Sequence, residues 1–211
     1  MFGTQDLPIF ALAGFTLNVT PGPDTMYIIG RSIAQGRRAG IVSALGIGSG
    51  TLVHTSAAAF GLSAILTTSS AAFTVLKWVG AVYLVYLGVQ MYRSGGRAAV
   101  DSAPAAAPAA LRTIFRQALL TNVLNPKVAL FFMAFLPQFV DPARTASPVP
   151  FLFLGGVFVC TGTIWCLCVA ALAARASGAV RNRPRPLAAA RRITGVLFVG
   201  LGIRLAAQQS R

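Results

Sequence analysis

Thr20-Pro21-Gly22-Pro23-Asp24 interrupts an apolar run that otherwise extends from about Leu7 to Gly30 and is long enough to cross a membrane. Two prolines in three positions remove backbone donors and clash with the preceding turn, and the glycine between them adds no rigidity, so a helix cannot pass through intact. An acid, Asp24, sits directly on the break. In a soluble protein this would be a turn followed by a helix cap. The surrounding composition decides otherwise.

Of the 211 residues, 55% are hydrophobic and only 10% charged, and the mean hydropathy is +0.71. Soluble domains carry about 25% charged residues, so the chain reads as an all-α integral membrane protein. The formal charge of +14 does not indicate nucleic acid, because the basic residues lie between apolar segments and are not interleaved with aromatics on a polar face. The four acids are Asp6, Asp24, Asp101 and Asp141. Cys160, Cys166 and Cys168 share one apolar segment without CxxC spacing, which indicates neither a disulfide framework nor a zinc site. No metal, cofactor or catalytic constellation is expected. The N-terminus lacks the basic start of a cleavable signal, so the run from Leu7 is expected to be a first span.

Crossing ~30 Å of hydrocarbon takes about 20 helical residues. Six stretches approach this: Leu7 to Gly30, Gly40 to Leu66, Ala71 to Tyr92, Thr113 to Pro137, Val149 to Ala174 and, shortest, Ile193 to Ala207. A five-span version would lose one terminal stretch. Lys and Arg accumulate on the cytoplasmic side of a membrane. Arg31, Arg37 and Arg38 follow span one, Arg93, Arg97, Arg112 and Arg116 follow span three, and six arginines from Arg175 to Arg192 follow span five. Only Arg144 and Arg211 fall on the other side. Six spans with this bias place both termini outside.

Residues 94–112, rich in Ala, Pro and Gly, read as a flexible cytoplasmic linker between halves at 1–93 and 113–211 of a single transmembrane domain. Three spans per half make the halves run in opposite directions, an inverted repeat if they are related. Asn18-Val19 before Pro21-Gly22-Pro23-Asp24 in span one has a counterpart in Asn122-Val123 before Asn125-Pro126-Lys127 in span four, with a one-residue slip in register.

Spans broken at corresponding positions point to a transporter's binding site. Half-helices starting near Pro23 and Pro126 would both begin near the bilayer middle, and their positive dipole ends would converge on a volume suited to a carboxylate. Asp24 and Lys127 stand beside these ends. Ionisable groups there cost about 2.5–3.5 kcal/mol each on insertion scales, so a partner or a purpose is expected. Two readings stand: a structural ion pair between the two residues, or Asp24 holding an ammonium or a proton while Lys127 or the helix ends hold a carboxylate. Asn18, Thr20, Asn122 and Asn125 are expected to satisfy backbone groups freed by the breaks, with substrate contact added. Gly46 and Gly50 form a GxxxG for close helix packing. His54, the single histidine, is either a proton relay or a hydrogen-bonding core residue. Lys77 lies near the outer end of span three, where its ammonium can snorkel.

Pro21-Gly22-Pro23-Asp24, Gly36-x-x-x-Gly40, Gly46-x-x-x-Gly50-x-x-x-His54, the run Lys77-Trp78-Val79-Gly80-Ala81-Val82-Tyr83-Leu84-Val85-Tyr86-Leu87-Gly88, and Asn125-Pro126-Lys127 with Phe135-Leu136-Pro137-Gln138-Phe139 together resemble the LysE/RhtB family of bacterial amino-acid exporters, closest in pattern to the homoserine/threonine branch. The resemblance covers nearly the whole chain. It implies an exporter of amino acids or close derivatives in the bacterial cytoplasmic membrane, driven by proton antiport. The expected partners are an amino-acid substrate, protons and membrane lipids, with room for a homodimer and no nucleic acid. Many relatives carry an acid near the position of Thr51. The hydroxyl here leaves Asp24 as the one acid within a span and favours a neutral zwitterion over a dication.

Other classes fit less well. A thiol-disulfide electron carrier needs a reactive cysteine in each half, and all three lie in span five. A metal-ion exporter would want several converging ligands, and a non-transporting scaffold gains nothing from interrupted helices. The six-span topology predicts that a reporter fused after Arg211 is active on the outer face; activity confined to the cytoplasm would refute it.

Overall fold

The computed structural model describes residues 2–62, 70–93 and 108–175, with residues 196, 199, 200 and 203. The described chain is helical: α1 Leu7–Val19, α2 Pro23–Ser56, a π-helical stretch Ala57–Leu62, α3 Ser70–Arg93, α4 Leu111–Val123, α5 Pro126–Leu130 and α6 Val149–Arg175. After α5 the helix continues as a π turn, Phe131–Phe135, and a 3-10 turn, Leu136–Phe139. No strand occurs among the described residues, only an isolated bridge between Thr4 and Val140.

Both expected breaks are present. α1 stops at Val19 and α2 starts at Pro23, while α4 stops at Val123 and α5 starts at Pro126, each with proline in the first turn. Proline fits there because its missing donor would have had no intrahelical acceptor.

Drawn straight, the 34 residues of α2 would reach about 51 Å, far beyond the ~30 Å hydrocarbon core. The chain instead folds back at Gly36, whose φ of 77° and ψ of −174° lie in a region open essentially to glycine alone. The reversal is visible in the packing. A Cβ on Gly40 would collide with the Ser32 side chain, although eight residues along a straight helix are about 12 Å apart. Residues 23–35 and 37–56 are therefore two arms of a helical hairpin. Arg37 and Arg38, beside the turn, are exposed as a connection would have them, but the placement of Arg31 in that connection is corrected. Arg31 lies inside the first arm and is only 8% exposed. It donates to Tyr27 Oη (3.3 Å), Gln35 Oε1 (3.1 Å) and Gln117 Oε1 (2.8 Å), tying the arm to α4.

The second arm supplies the floor on which α4 lies. A Cβ on Gly46 would stand 2.6 Å from Phe115 O, and one on Gly50 2.8 Å from Asn122 Cβ. The GxxxG spacing therefore acts by letting two backbones approach, as expected. α6 packs along the other side of α2 and reaches α1, with Gly155 against Thr55, Gly162 against Asn18 and Gly14 against Phe158.

The ends of these helices sort by side. Gln35 exchanges two hydrogen bonds with the backbone of Ala109, and Gly40 meets Ala170. At the opposite end Gln5 N donates to Phe139 O (2.8 Å), Asp141 N donates to Gly3 O (2.9 Å), and Phe2 packs on Phe153. Two apolar clusters follow the same division. A phenylalanine-rich one contains Phe10, Phe131, Phe132, Phe135, Phe139, Phe151 and Phe158. A smaller one contains Ile28, Ala44, Ile47, Ala118 and Ala170.

By length and composition two stretches among the described residues suffice to cross a membrane, Pro148–Arg175 and Pro23–Gly61, the latter folded back at Gly36. Leu111–Val123 with Pro126–Phe139, bent by 45°, makes a third if the pair is one span. α3 is a helix whose bounds, Ser70–Arg93, coincide with the apolar stretch Ala71 to Tyr92. Most of the sixth stretch and residues 94–107 of the linker lie outside the described residues, and residues 111 and 112, placed in the linker from sequence, already belong to α4.

Gly36→Ala is expected to destabilise the folded protein by about 1–3 kcal/mol, because alanine cannot hold this backbone conformation without strain. Gly156→Ala, where an added Cβ meets open space, is the control. Thermal unfolding in detergent should drop for the first variant only.

Candidate functional site

The breaks in the two helices meet. Asp24, second residue of α2, accepts hydrogen bonds at Oδ2 from Asn122 Nδ2 (2.9 Å) and Asn125 Nδ2 (3.0 Å). Asn125 is the N-cap of α5, its Oδ1 accepting from Lys127 N (3.0 Å). Both asparagines are almost wholly buried. One arm of the hairpin and one end of α4 are thus joined through a single carboxylate oxygen.

Lys127 does not pair with Asp24. Its ammonium donates instead to Leu17 O (3.1 Å) and Thr20 O (3.0 Å), the carbonyls left open where α1 ends. Of the two readings of Asp24 and Lys127, the direct ion pair is not formed; at the first break the freed carbonyls are satisfied by Lys127 rather than by Thr20 or Asn18, which corrects that expectation. Thr20 Oγ1 turns back to Thr16 O (2.7 Å). The arrangement follows the helix dipole: a cation at the C-terminal end of α1 and an anion at the N-terminal end of α2 are each favourable. Gly22, between the two, has Lys127 Nζ 3.2 Å from where its Cβ would be. Pro21, Gly22, Pro23 and Pro126 therefore act through the backbone, by breaking helices and leaving room.

Two buried polar atoms here have no hydrogen-bond partner among the described residues: Asp24 Oδ1, an acceptor, and Asn18 Nδ2, a donor. Each represents about 1–3 kcal/mol of desolvation left unrecovered, more for the charged group. Both residues line one narrow cavity, together with Leu17, Thr51, Asn122 and Lys127. The cavity sits where the two apolar clusters meet, since Leu17, Val128 and Phe158 belong to the first and Ile47 to the second.

Thr51 Oγ1 lies 3.1 Å from Ile47 O and 3.3 Å from Asn122 Oδ1, so its single proton serves one at a time. His54 stands behind Asn122 and does not line the cavity. Its Nε2 donates to Asn122 O (3.0 Å), another carbonyl freed at the break, and its ring stacks on Phe132 with centroids 5.9 Å apart. Lys77 lies on α3, and its side chain is outside the described residues. No group of three or more His, Cys, Asp or Glu that could hold a metal comes together among the described residues.

The fourth wall of the cavity was missed in the sequence. α6 presents Phe158, Gly162, Thr163 and Cys166 to it. Span five has neither a break nor an internal charge to draw attention. The signal was the Thr161-Gly162-Thr163 group, the most polar point in that run.

Lys127→Met is expected to destabilise the protein by about 1–3 kcal/mol per carbonyl left unsatisfied, and Lys127→Arg less. The check is thermal unfolding in detergent; a Lys127→Met protein as stable as wild type would show that these bonds contribute nothing.

Compared with known proteins, the chain matches the family described as LysE type translocator over residues 15–209. It is 32% identical over 197 residues to an "Uncharacterized membrane protein" of Vibrio cholerae, covering 93% of this chain and 94% of that one. It is 30% identical over 197 residues to a "Homoserine/homoserine lactone efflux protein" of Salmonella typhimurium, with the same coverage of 93% and 94%. It is 25% identical over 213 residues to a "Leucine efflux protein" of Salmonella choleraesuis, covering 99% and 98%. No solved structure matches the chain.

Proposed function

The chain belongs to the LysE type translocator family, and from that premise we propose that it exports small neutral amino acids or close derivatives across the bacterial cytoplasmic membrane, with the cavity at Asp24 as the binding site. The observation that carries the proposal is the pair of unspent groups in one cavity. Asp24 Oδ1 offers an acceptor and Asn18 Nδ2 a donor. An amino acid brings the complement, an ammonium for the first and a carboxylate for the second. The Lys127 ammonium in the same lining favours a carboxylate there.

A neutral side chain is favoured because the sequence places no second acid in any span to meet a side-chain cation. The names of the two efflux relatives, for homoserine or its lactone and for leucine, agree with this class.

In this reading the chain has six spans as two inverted three-helix halves, with both termini outside. The first broken span is α1 with the first arm of α2, and its counterpart is α4 with α5. Asp24 alternates between the substrate's ammonium and a proton, which couples export to proton entry. The phenylalanine-rich cluster would close one side of the site and the small-residue cluster the other, each opening in turn.

A panel of amino acids tested for uptake into inverted membrane vesicles, with and without a protonophore, tests this reading. Neutral amino acids such as homoserine, threonine or leucine should accumulate more than lysine, and protonophore should abolish accumulation. Asp24→Asn, inserted at wild-type levels, should lose at least about tenfold in rate, the scale of a removed charge-assisted hydrogen bond. Normal transport by that variant would sink the role of Asp24.

A further inference from the structure

Hydroxyls on these helices usually return their proton to the carbonyl four residues back. Thr51, Thr55, Thr121 and Thr161 all do so, at 3.1, 3.0, 2.7 and 2.9 Å. In an apolar environment this is the nearest available acceptor, and leaving it unused is unfavourable. Thr163, two residues after Thr161 and so on nearly the opposite face of α6, makes no hydrogen bond among the described residues. It is half-buried and lines the cavity.

Its hydroxyl faces α2. A Cβ built on Gly48 would stand 2.7 Å from Thr163 Oγ1 but 3.7 Å from both Thr163 Cβ and Cγ2. The oxygen is therefore the atom of Thr163 nearest to that position on α2, and Gly48 is the residue whose missing side chain leaves it room. Gly48 also lines the cavity. The cavity that Asp24 and Asn18 line thus holds two hydroxyls without a hydrogen bond among the described residues, those of Thr25 and Thr163, and Gly48 gives the second its room on the wall that α6 supplies.

We propose that Thr163 is a specificity-determining residue that hydrogen-bonds a hydroxyl on the substrate's side chain, so that the transporter selects small hydroxylated amino acids over their aliphatic isosteres. This rests on the export reading above. Asp24 and Asn18 meet the groups common to every amino acid, and a third polar contact is what can tell one side chain from another. A site that hydrogen-bonds a substrate hydroxyl discriminates strongly against the analogue lacking it, because its own polar group is then left unpaired. A purely apolar wall discriminates weakly between such isosteres. Phe158, Leu17 and Val128 supply the apolar remainder of the cavity, which suits a short side chain with one hydroxyl.

Threonine and valine are the discriminating pair, since they differ by a hydroxyl in place of a methyl. In inverted vesicles the wild-type chain is expected to take up threonine about tenfold faster than valine. Thr163→Val, itself isosteric, is expected to bring that ratio close to one by slowing threonine while valine is unchanged or faster. Thr163→Ser is expected to keep the wild-type ratio. Thr163→Ala serves as a second hydroxyl-free variant should Thr163→Val fail to reach the membrane at wild-type amounts. A wild-type ratio near one, a hydroxyl-free variant that retains the wild-type ratio, or one that loses both amino acids equally at normal membrane levels would overturn the assignment. Asp24→Asn separates the two levels, because it should slow threonine and valine alike by at least about tenfold, where Thr163→Val slows threonine alone. Wild-type vesicles that move neither amino acid would overturn the export reading itself.

Discussion

A helix broken inside an apolar environment leaves backbone carbonyls and amides that lipid cannot satisfy, and the centre of this protein is built around meeting that demand. Lys127 supplies its ammonium to Leu17 O and Thr20 O, His54 supplies a ring N–H to Asn122 O, and Asn125 caps its own following turn. Each of these side chains comes from a different element than the group it serves, except the cap. The two breaks therefore cannot be placed independently. Where α1 ends, Lys127 must stand, and Lys127 stands where it does because Pro126 opens α5.

That dependence separates the charges. In the simplest arrangement a buried lysine and a buried aspartate neutralise each other directly, and the pair then has little left to offer a ligand. Here the cation is spent on carbonyls and the anion on two amides, and one oxygen of the carboxylate is left over. The neutral network of Asn122, Asn125 and Thr51 holds the carboxylate in place without cancelling its charge. Polar networks in a low-dielectric interior are high-stakes in this way, since each unsatisfied member is costly and each satisfied one fixes a geometry. The unpaired atoms at Asp24 and Asn18 are thus the points at which this region can interact with something else.

Close packing around the cavity comes from glycines rather than from apolar driving force, as expected where lipid tails are no less apolar than leucine. Gly46 and Gly50 admit α4, Gly162 admits Asn18, and Gly48 admits the Thr163 hydroxyl. These are four positions with one consequence. The polar side chains can gather in the middle because the helices carrying them approach at backbone distance. Gly36 contributes differently, through a conformation that lets a single residue reverse the chain and bring Asp24 and Thr51 to the same asparagine.

By itself the sequence determined what is local or one-dimensional: the helical class, the two breaks and the prolines that open each new helix, the glycine spacing of the α2 seam, the singular acid, and the family. These follow from steric rules of the backbone and from composition, which need no partner to act. Tertiary structure alone decided which group meets which. The bond between Asp24 and Lys127 that one of the two readings required is absent because α1 brings open carbonyls to the ammonium. Arg31, expected in a loop, is buried because Gly36 reverses the chain without one. The α6 wall carries no charge or break, so only its proximity to Asn18, Gly48 and Asp24 marks it. A hydrogen bond forms with the nearest competent partner, and nearness between distant segments is a property of the packed helices.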